Sequence, residues 1–470
     1  MFAGGVSKKE FLSIENAVSG HIAHLASDEF MGRRPGTDGE RLTLDYMVRQ
    51  LAAYGLESGT NDPANPWLAP VTLISNTPIE GRVELKVGRK RFVLPEGDAA
   101  AFTTRRRSLV DGGEVIFVGW DADNVADDLV KGRVVLMVST RGRNRDRRDN
   151  IFEKGASAVI SVVGNREDLE DVRQFSGGER LLLPSEERDV LNAYVTEAAI
   201  ADALGKSRWD KLVAASESDD FEPQLLKVLA TVEASSAQRE VVSHNLIGRL
   251  PGRIPQSGEV LLLAHWDHFG TCGAEADADR LCNGAADNAS GVAVMLELAR
   301  RLAEHGPYDR DIYVLGTTAE EWGLLGAKAF VEDPPMPLDS IVAAFNFDTV
   351  AIAPVGAPVG FVGEGRTPLD GVIAEVMSEM GRTLGSRVLA EQYLQRQDSW
   401  VLLQRDVPAV ALSNAFGDEG ALNPYLKTRY HRASDEIAGI ELGGAVEDLL
   451  LHERIVRRLA NLATYPATGE

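Results

Sequence analysis

The chain has 470 residues, 44% hydrophobic and 26% charged, enough for two or three domains with a sizeable core. Its 49 basic and 71 acidic side chains leave a formal charge of −22, which argues against nucleic acid or an anionic membrane as the main partner. No apolar run reaches the roughly 18–20 residues that a membrane helix needs.

The N-terminus, MFAGGVSKKEFLS, lacks the basic-then-apolar pattern of a signal peptide, so the chain is either cytosolic or follows a removed leader. Apolar spacing predicts helices over 12–27 and 38–54, separated by the Gly- and Pro-rich stretch DEFMGRRPGTDGE. Alternation begins after Pro70, with VTLIS, then RVELKVGRKRFVL turning at Gly88, then GGEVIFVGW and GRVVLMVS. The arginine-dense stretch at 140–150 reads as a solvated loop, and NIFEKGASAVISVVG as a short helix feeding a strand. Residues 76–236 thus form a β-rich block.

From about 240 strands alternate with helices. The strands are SHNLIGRL, EVLLLAH, RDIYVLGTT, SIVAAFNFD and VPAVALSN, and the helices span 290–305, about 366–381 and 441–460. This pattern predicts an α/β fold, a mixed and largely parallel sheet covered by helices on both faces.

Such sheets bind ligands at the carboxyl ends of their strands. There the sequence places His265, Asp267 and His268, then Glu320 and Glu321, then Asp348. Asp287 precedes the helix at 290, and Tyr430, His431 and Asp435 follow the last strand. Five stations of imidazoles and carboxylates are too many for chance. If His265, Asp287, Glu321, Asp348 and His431 bind metal, two zinc ions and a bridging hydroxide balance the three carboxylates. A single ion leaves the site negative. A bridging Asp287 gives each ion three protein ligands and an open position.

The neighbours take roles in turn. Two residues on from His265 in an extended strand, Asp267 is expected to accept that ring's other N–H. Glu320, adjacent to Glu321, is expected to face the bridging water as general base. Asp435 is expected to support His431, and His268 to remain unligated. Cys272 and Cys282, the only cysteines, are ten apart, which favours a disulfide over two inert thiols.

With these residues assembled, AHWDHFG, NGAADNASGVA, TAEEWGLLGA, NFDT and YHRASDE resemble, in order, the dizinc exopeptidase family of the bacterial leucyl-type aminopeptidases, glutamate carboxypeptidase and the transferrin receptor. The resemblance implies a three-layer catalytic domain from 1–75 and 237–470, with 76–236 inserted as a protease-associated domain. It implies His265, Asp287, Glu321, Asp348 and His431 as ligands of two zinc ions, with cobalt or manganese as substitutes. Glu320 is implied as base. The expected substrate is a peptide with a free amino terminus. Members are usually secreted or periplasmic, which implies a trimmed leader, although a cytoplasmic location stays open.

Many members read Arg-Ser-Asp where this chain has Arg396-Gln397-Asp398, in a segment that lines the substrate cleft. A carboxypeptidase or another amidohydrolase is the alternative on the same site, and a non-catalytic binding scaffold the remote one. A single-zinc glutaminyl cyclase is disfavoured by the inserted block.

Overall fold

The computed structural model describes residues 6–120, 125–139, 145–186, 190–218, 220–273 and 277–466. It divides into two compact units, one of Met1–Thr72 with Val242–Glu470 and one of Leu73–Val241.

The first unit begins with α1 (Lys8–Leu25) and α2 (Asp38–Ala53). The Ser7 side chain caps α1 by accepting the Glu10 N–H, and Phe11, Ile14, Val18, Ile22 and Leu25 form its buried stripe. The sheet follows, with β1 (Gln224–Leu250, of which 242–250 lie in this unit), β2 (Glu259–His265), β3 (Asp311–Thr317), β4 (Ile341–Asn346), β5 (Gly360–Val362) and β6 (Ala409–Ser413). Between and after the strands come α3 (Ser290–His305), α4 (Leu325–Glu332), α5 (Asp370–Glu379), α6 (Asp398–Leu403), α7 (Glu419–Thr428) and α8 (Leu442–Leu459). The strand order is β5-β6-β4-β2-β3-β1. β6, β4, β2 and β3 run parallel, while β5 and β1 are antiparallel edges of this run.

β2 shows why its sequence reads as an unbroken apolar run. Val260, Leu262 and Ala264 pack into a core with α1, α3 and α8. Leu261 and Leu263 face the opposite way, against Phe330 and Val331 of α4 and Val401 and Leu402 of α6. Helices therefore cover both faces, and the mixed, largely parallel sheet expected from the sequence is present. β3 leaves β2 on one side and β4 returns on the other, so the strand order reverses at the carboxyl end of β2.

The second unit has its own core, built on Phe117, Leu136, Ile160, Ala193 and Trp209. Its strands Arg107–Phe117, Val134–Val138, Ala158–Val163 and Leu191–Thr196 are parallel neighbours, and Ala99–Thr103 pairs antiparallel with the last. The hairpin turns at Gly88, where φ is +61° and Val87 pairs with Lys90. The β-rich block also carries helices, at Arg166–Ser176, Glu197–Leu204 and Lys206–Ala215. The first starts where the Asn165 side chain accepts the N–H groups of Glu167 and Asp168. Of the stretch read as a solvated arginine-rich loop, 140–144 lie outside the described residues, and 145–150 belong to the helix Arg145–Glu153.

Candidate metal centre

The first unit's sheet delivers the site residues from separate strand ends. His265 is the last residue of β2. Glu320 and Glu321 occupy a tight turn after β3, entered through Ala319 at φ +51°. Asp348 lies two residues past β4, and Asp287 lies in the turn before α3. His431, at φ +57°, follows α7.

Asn288 ties three of these segments together. Its amide nitrogen donates to the His265 carbonyl (3.3 Å) and the Phe347 carbonyl (2.8 Å), and its oxygen accepts from the N–H groups of Gly291 (2.9 Å) and Thr349 (3.3 Å). The NASG stretch is thus a crossing point where α3 meets β4. A Cβ at Gly291 would stand 2.2 Å from the Phe347 oxygen, so only glycine fits.

Asp287 is the centre of the cluster. Its Oδ1 lies 3.3 Å from His265 Nε2, which is 3.6 Å from Asp348 Oδ1. Its Oδ2 lies 3.3 Å from His431 Nε2, which is 3.0 Å from Glu321 Oε2. Two sets of potential metal donors result, His265 with Asp287 and Asp348, and His268 with Asp287 and Glu321; within each, the donor atoms lie within 4.8 Å of one another.

His268, expected to remain unligated, is fully buried, and its Nδ1 is 2.5 Å from Glu321 Oε1. Its Nε2 has no hydrogen-bond partner.

Two supporting roles differ from expectation. The Asp267 carboxylate stands 3.9 Å from His265 Nδ1, too far to hydrogen-bond, and the ring faces the Asp267 carbonyl oxygen instead at 3.2 Å. β2 ends at His265, so strand alternation no longer holds two residues later. The Asp267 carboxylate accepts the N–H of Glu320 (3.1 Å) and of Glu321 (3.5 Å), fixing their turn. Asp435 holds the Asp287 segment and not the His431 ring. It accepts the N–H groups of Ala286 and Asp287, both at 3.0 Å, and a 2.9 Å bond from Arg429.

Arg33 escaped the sequence reading. It is fully buried and donates to the carbonyls of Trp266 (2.9 Å), Leu25 (3.0 Å), Asn283 (2.5 Å) and Gly284 (3.0 Å). It thereby clamps the segments that carry His265 and Asp287. Burial lowers its pKa to about 10 against the opposing pull of Asp287, Asp267, Asp435 and Glu321.

The electrostatics call for cations. Burial pushes Glu320 well above the usual carboxylate range, Asp267 to about 8 and Asp398 to about 6. Burial and Asp287 also push Glu321 up, but His431 and His268 outweigh them and hold it low. Burial opposes charge on both ligand-candidate histidines. Glu320 and Asp287 nevertheless drive His265 well up, and Glu321 and Asp287 raise His431 to about 10. Asp287 and Glu321 are held low and favour the protonated imidazoles beside them, and these are groups whose protons a divalent ion displaces. Imidazole nitrogen and carboxylate oxygen form a donor set suited to zinc. The residues present fit the metal pair that the sequence implies.

Cys272 and Cys282 form a disulfide, and Cys272 Sγ lies 3.4 Å from the His431 carbonyl oxygen.

Fold and site define an α/β protein with a candidate metal centre at the carboxyl edge of its sheet. Residues 245–448 match Peptidase family M28. Among curated relatives, the chain is 26% identical over 262 residues to aminopeptidase YwaD of Bacillus subtilis, covering 55% of this chain and 48% of that one. It is 28% identical over 282 residues to the BOS complex subunit NCLN of Rattus norvegicus, covering 54% and 48%. The chain spans about half the length of these relatives. Two solved structures share the fold. An aminopeptidase from Aneurinibacillus sp. strain AM-1 has TM-score 0.58 and 19% identity, covering 94% of this chain and 93% of that one. BSAP, a zinc aminopeptidase from Bacillus subtilis, has TM-score 0.52 and 16% identity, covering 96% and 97%.

Proposed function

We propose that the protein is a zinc-dependent aminopeptidase that removes residues from the free amino terminus of peptides, with two zinc ions per chain. The observation that carries this reading is Asp287, whose two oxygens face two different imidazoles, His265 and His431. In this reading His265, Asp287 and Asp348 hold one ion, and Asp287, Glu321 and His431 the other. Cobalt or manganese suits the same donors. His268 orients Glu321.

When bound, the metal pair supplies Lewis-acid polarisation of the scissile carbonyl and of the attacking water. Glu320, in the turn pinned by Asp267, takes the proton from that water and delivers it to the leaving amine. Tyr430 lines the same cleft, and its hydroxyl oxygen accepts from Arg396 at 3.0 Å. Its own O–H is left to donate to the oxyanion of the tetrahedral carbon. The substrate's ammonium group meets Glu320 and Asp348.

The aminopeptidase relative and the zinc aminopeptidase of like fold support this reading. The likeness to NCLN, a complex subunit, favours a second one, a binding protein on a peptidase scaffold. The presence of all five proposed ligands and of Glu320 favours catalysis.

Elemental analysis, paired with hydrolysis of aminoacyl anilides before and after chelation, tests the reading. About two zinc ions per chain are expected, with activity lost on chelation, restored by zinc and absent on N-acetylated substrates. Metal with cleavage only at blocked amino termini would shift the assignment to a carboxypeptidase or another amidohydrolase. Folded protein that takes up no zinc and cleaves nothing would leave the scaffold.

We also place the chain in an oxidising compartment, the periplasm or the cell exterior. The Cys272–Cys282 disulfide, with Cα atoms 5.8 Å apart, supports this placement. Two free thiols, found by labelling protein taken from its native cells, would overturn it.

A further inference from the structure

The cleft beside the acid cluster holds polar groups whose donors the proposed reaction leaves largely unused. Asp287, Glu320 and Asp348 line it together with Arg396 and Gln397. Arg396 is exposed, so it is open to solvent and to a ligand. Its guanidinium lies 5.3 Å from the ring centroid of Tyr393 and 5.8 Å from that of Tyr430, and gives one bond to the Tyr430 hydroxyl. Contact with two rings holds the planar group in one orientation while most of its five N–H donors stay unengaged.

Gln397 is the more unusual neighbour. It is 1% exposed, and neither its amide oxygen nor its amide nitrogen has a hydrogen-bond partner. A buried amide left unpaired destabilises the fold, and a ligand that pairs with it removes that cost.

Size and charge select the ligand. The cleft is partly open, and the space within it is small, about 30 Å³. Beside Arg396 and Gln397 it takes a small polar group. Phe416, Leu422 and Leu426 supply apolar walls, which strengthen any charged hydrogen bond made there. A fixed guanidinium beside an amide N–H matches an anionic, planar, two-oxygen acceptor.

We propose that Arg396 and Gln397 form a carboxylate subsite of the substrate cleft. Resting on the exopeptidase reading, this makes the preferred substrates short peptides with a carboxylate close to the scissile bond. That carboxylate is either the C-terminus of a dipeptide or an acidic side chain after the bond.

Two substrate pairs separate these sources with the zinc-loaded full chain. One is Leu-Ala against its C-terminal amide, and the other is Leu-Asp-amide against Leu-Asn-amide. In at least one pair the acid has a KM roughly 10- to 100-fold below that of its neutral partner. The ratio collapses toward one in Arg396→Gln and shrinks in Gln397→Leu. Ratios within one variant are compared because Arg396 also holds Tyr430. Equal KM values in both pairs, or a ratio that survives Arg396→Gln, overturns the proposal.

Calorimetric titration of the metal-free protein provides a readout independent of catalysis. N-acetyl-alanine binds more tightly than N-acetyl-alaninamide, and the difference disappears in Arg396→Gln. If the zinc-loaded protein cleaves no peptide, the exopeptidase reading fails and this titration alone decides the subsite. Equal binding of acid and amide then sinks it.

Discussion

The two units are built from the same parts and carry different chemistry. Each has four parallel strands in a row, an antiparallel neighbour and flanking helices. In the first unit the strand ends run on into His265, Glu320, Glu321 and Asp348. In the second they close with Phe117, Val138, Val163 and Thr196. Among the described residues, both donor sets able to hold a metal lie in the first unit. Architecture offers the edge, and what stands on the edge decides whether a site forms there.

That contrast breaks most easily at Asp287. Asp287→Asn removes the charge shared by both donor sets, and zinc content falls below one ion per chain with activity lost by ~1,000-fold or more. Undiminished zinc in this variant would mean that the metal sits elsewhere. Glu320→Gln sharpens the contrast, because it separates binding from chemistry. Zinc content stays near two per chain while kcat falls about 10²- to 10⁴-fold. A variant that retains its kcat would remove Glu320 from the role of base.

Arg33→Met tests whether the first unit's edge needs its clamp. Carbonyl oxygens at Trp266, Leu25, Asn283 and Gly284 lose their buried donor, together with a cation beside four acids. Denaturant unfolding should show a loss of roughly 3–5 kcal/mol. A loss under 1 kcal/mol would make the clamp incidental.

The smallest effect is a pH dependence away from the metal. His452 is fully buried, packed 5.5 Å from the Phe345 ring and 4.6 Å from the Phe347 ring, and burial lowers its pKa to about 4 from 6.5. The unfolded chain takes up the proton first. The stabilisation is therefore complete above pH 6.5 and is lost as pH falls through about 4. Its ceiling is about 3 kcal/mol. Denaturation curves of wild type and His452→Leu should diverge less at pH 4 than at pH 7. Equal divergence would assign the histidine no part in acid unfolding.

Much of the first unit was legible in its sequence because its strands are buried on both faces. The run Glu259–His265 and the helix Ser290–His305 were read at their observed limits. The outer borders of the inserted block, drawn at 76 and 236, compare with divisions after Thr72 and Val241. The helix at Arg166–Ser176 carried its signal in Asn165, in the acids after it and in Leu169, Val172 and Phe175 at helical spacing. The gathering of His265, Asp287, Glu321, Asp348 and His431 followed from the rule that strand ends converge. The supporting contacts did not, because they depend on where a strand stops. Asp267 and Asp435 were given imidazole partners, and both bind backbone N–H groups instead. His268 could be named but not aimed. Arg33 was beyond reach, since nothing local marks an arginine that meets residues 233 positions away, and Gln397 was marked as a departure from Arg-Ser-Asp but not as an unpaired amide.

Arg33 has a consequence for how the chain can be cut and rejoined. The segment matching the peptidase family begins at residue 245, yet the side chain that locks its two leading loops together comes from residue 33. The working unit is therefore a composite of two stretches of chain, assembled across everything encoded between them. A fragment starting at 242 would carry every proposed zinc donor and lack the clasp that sets two of them. A separate piece covering residues 1–72, supplied alongside, brings that clasp back as a complementing fragment.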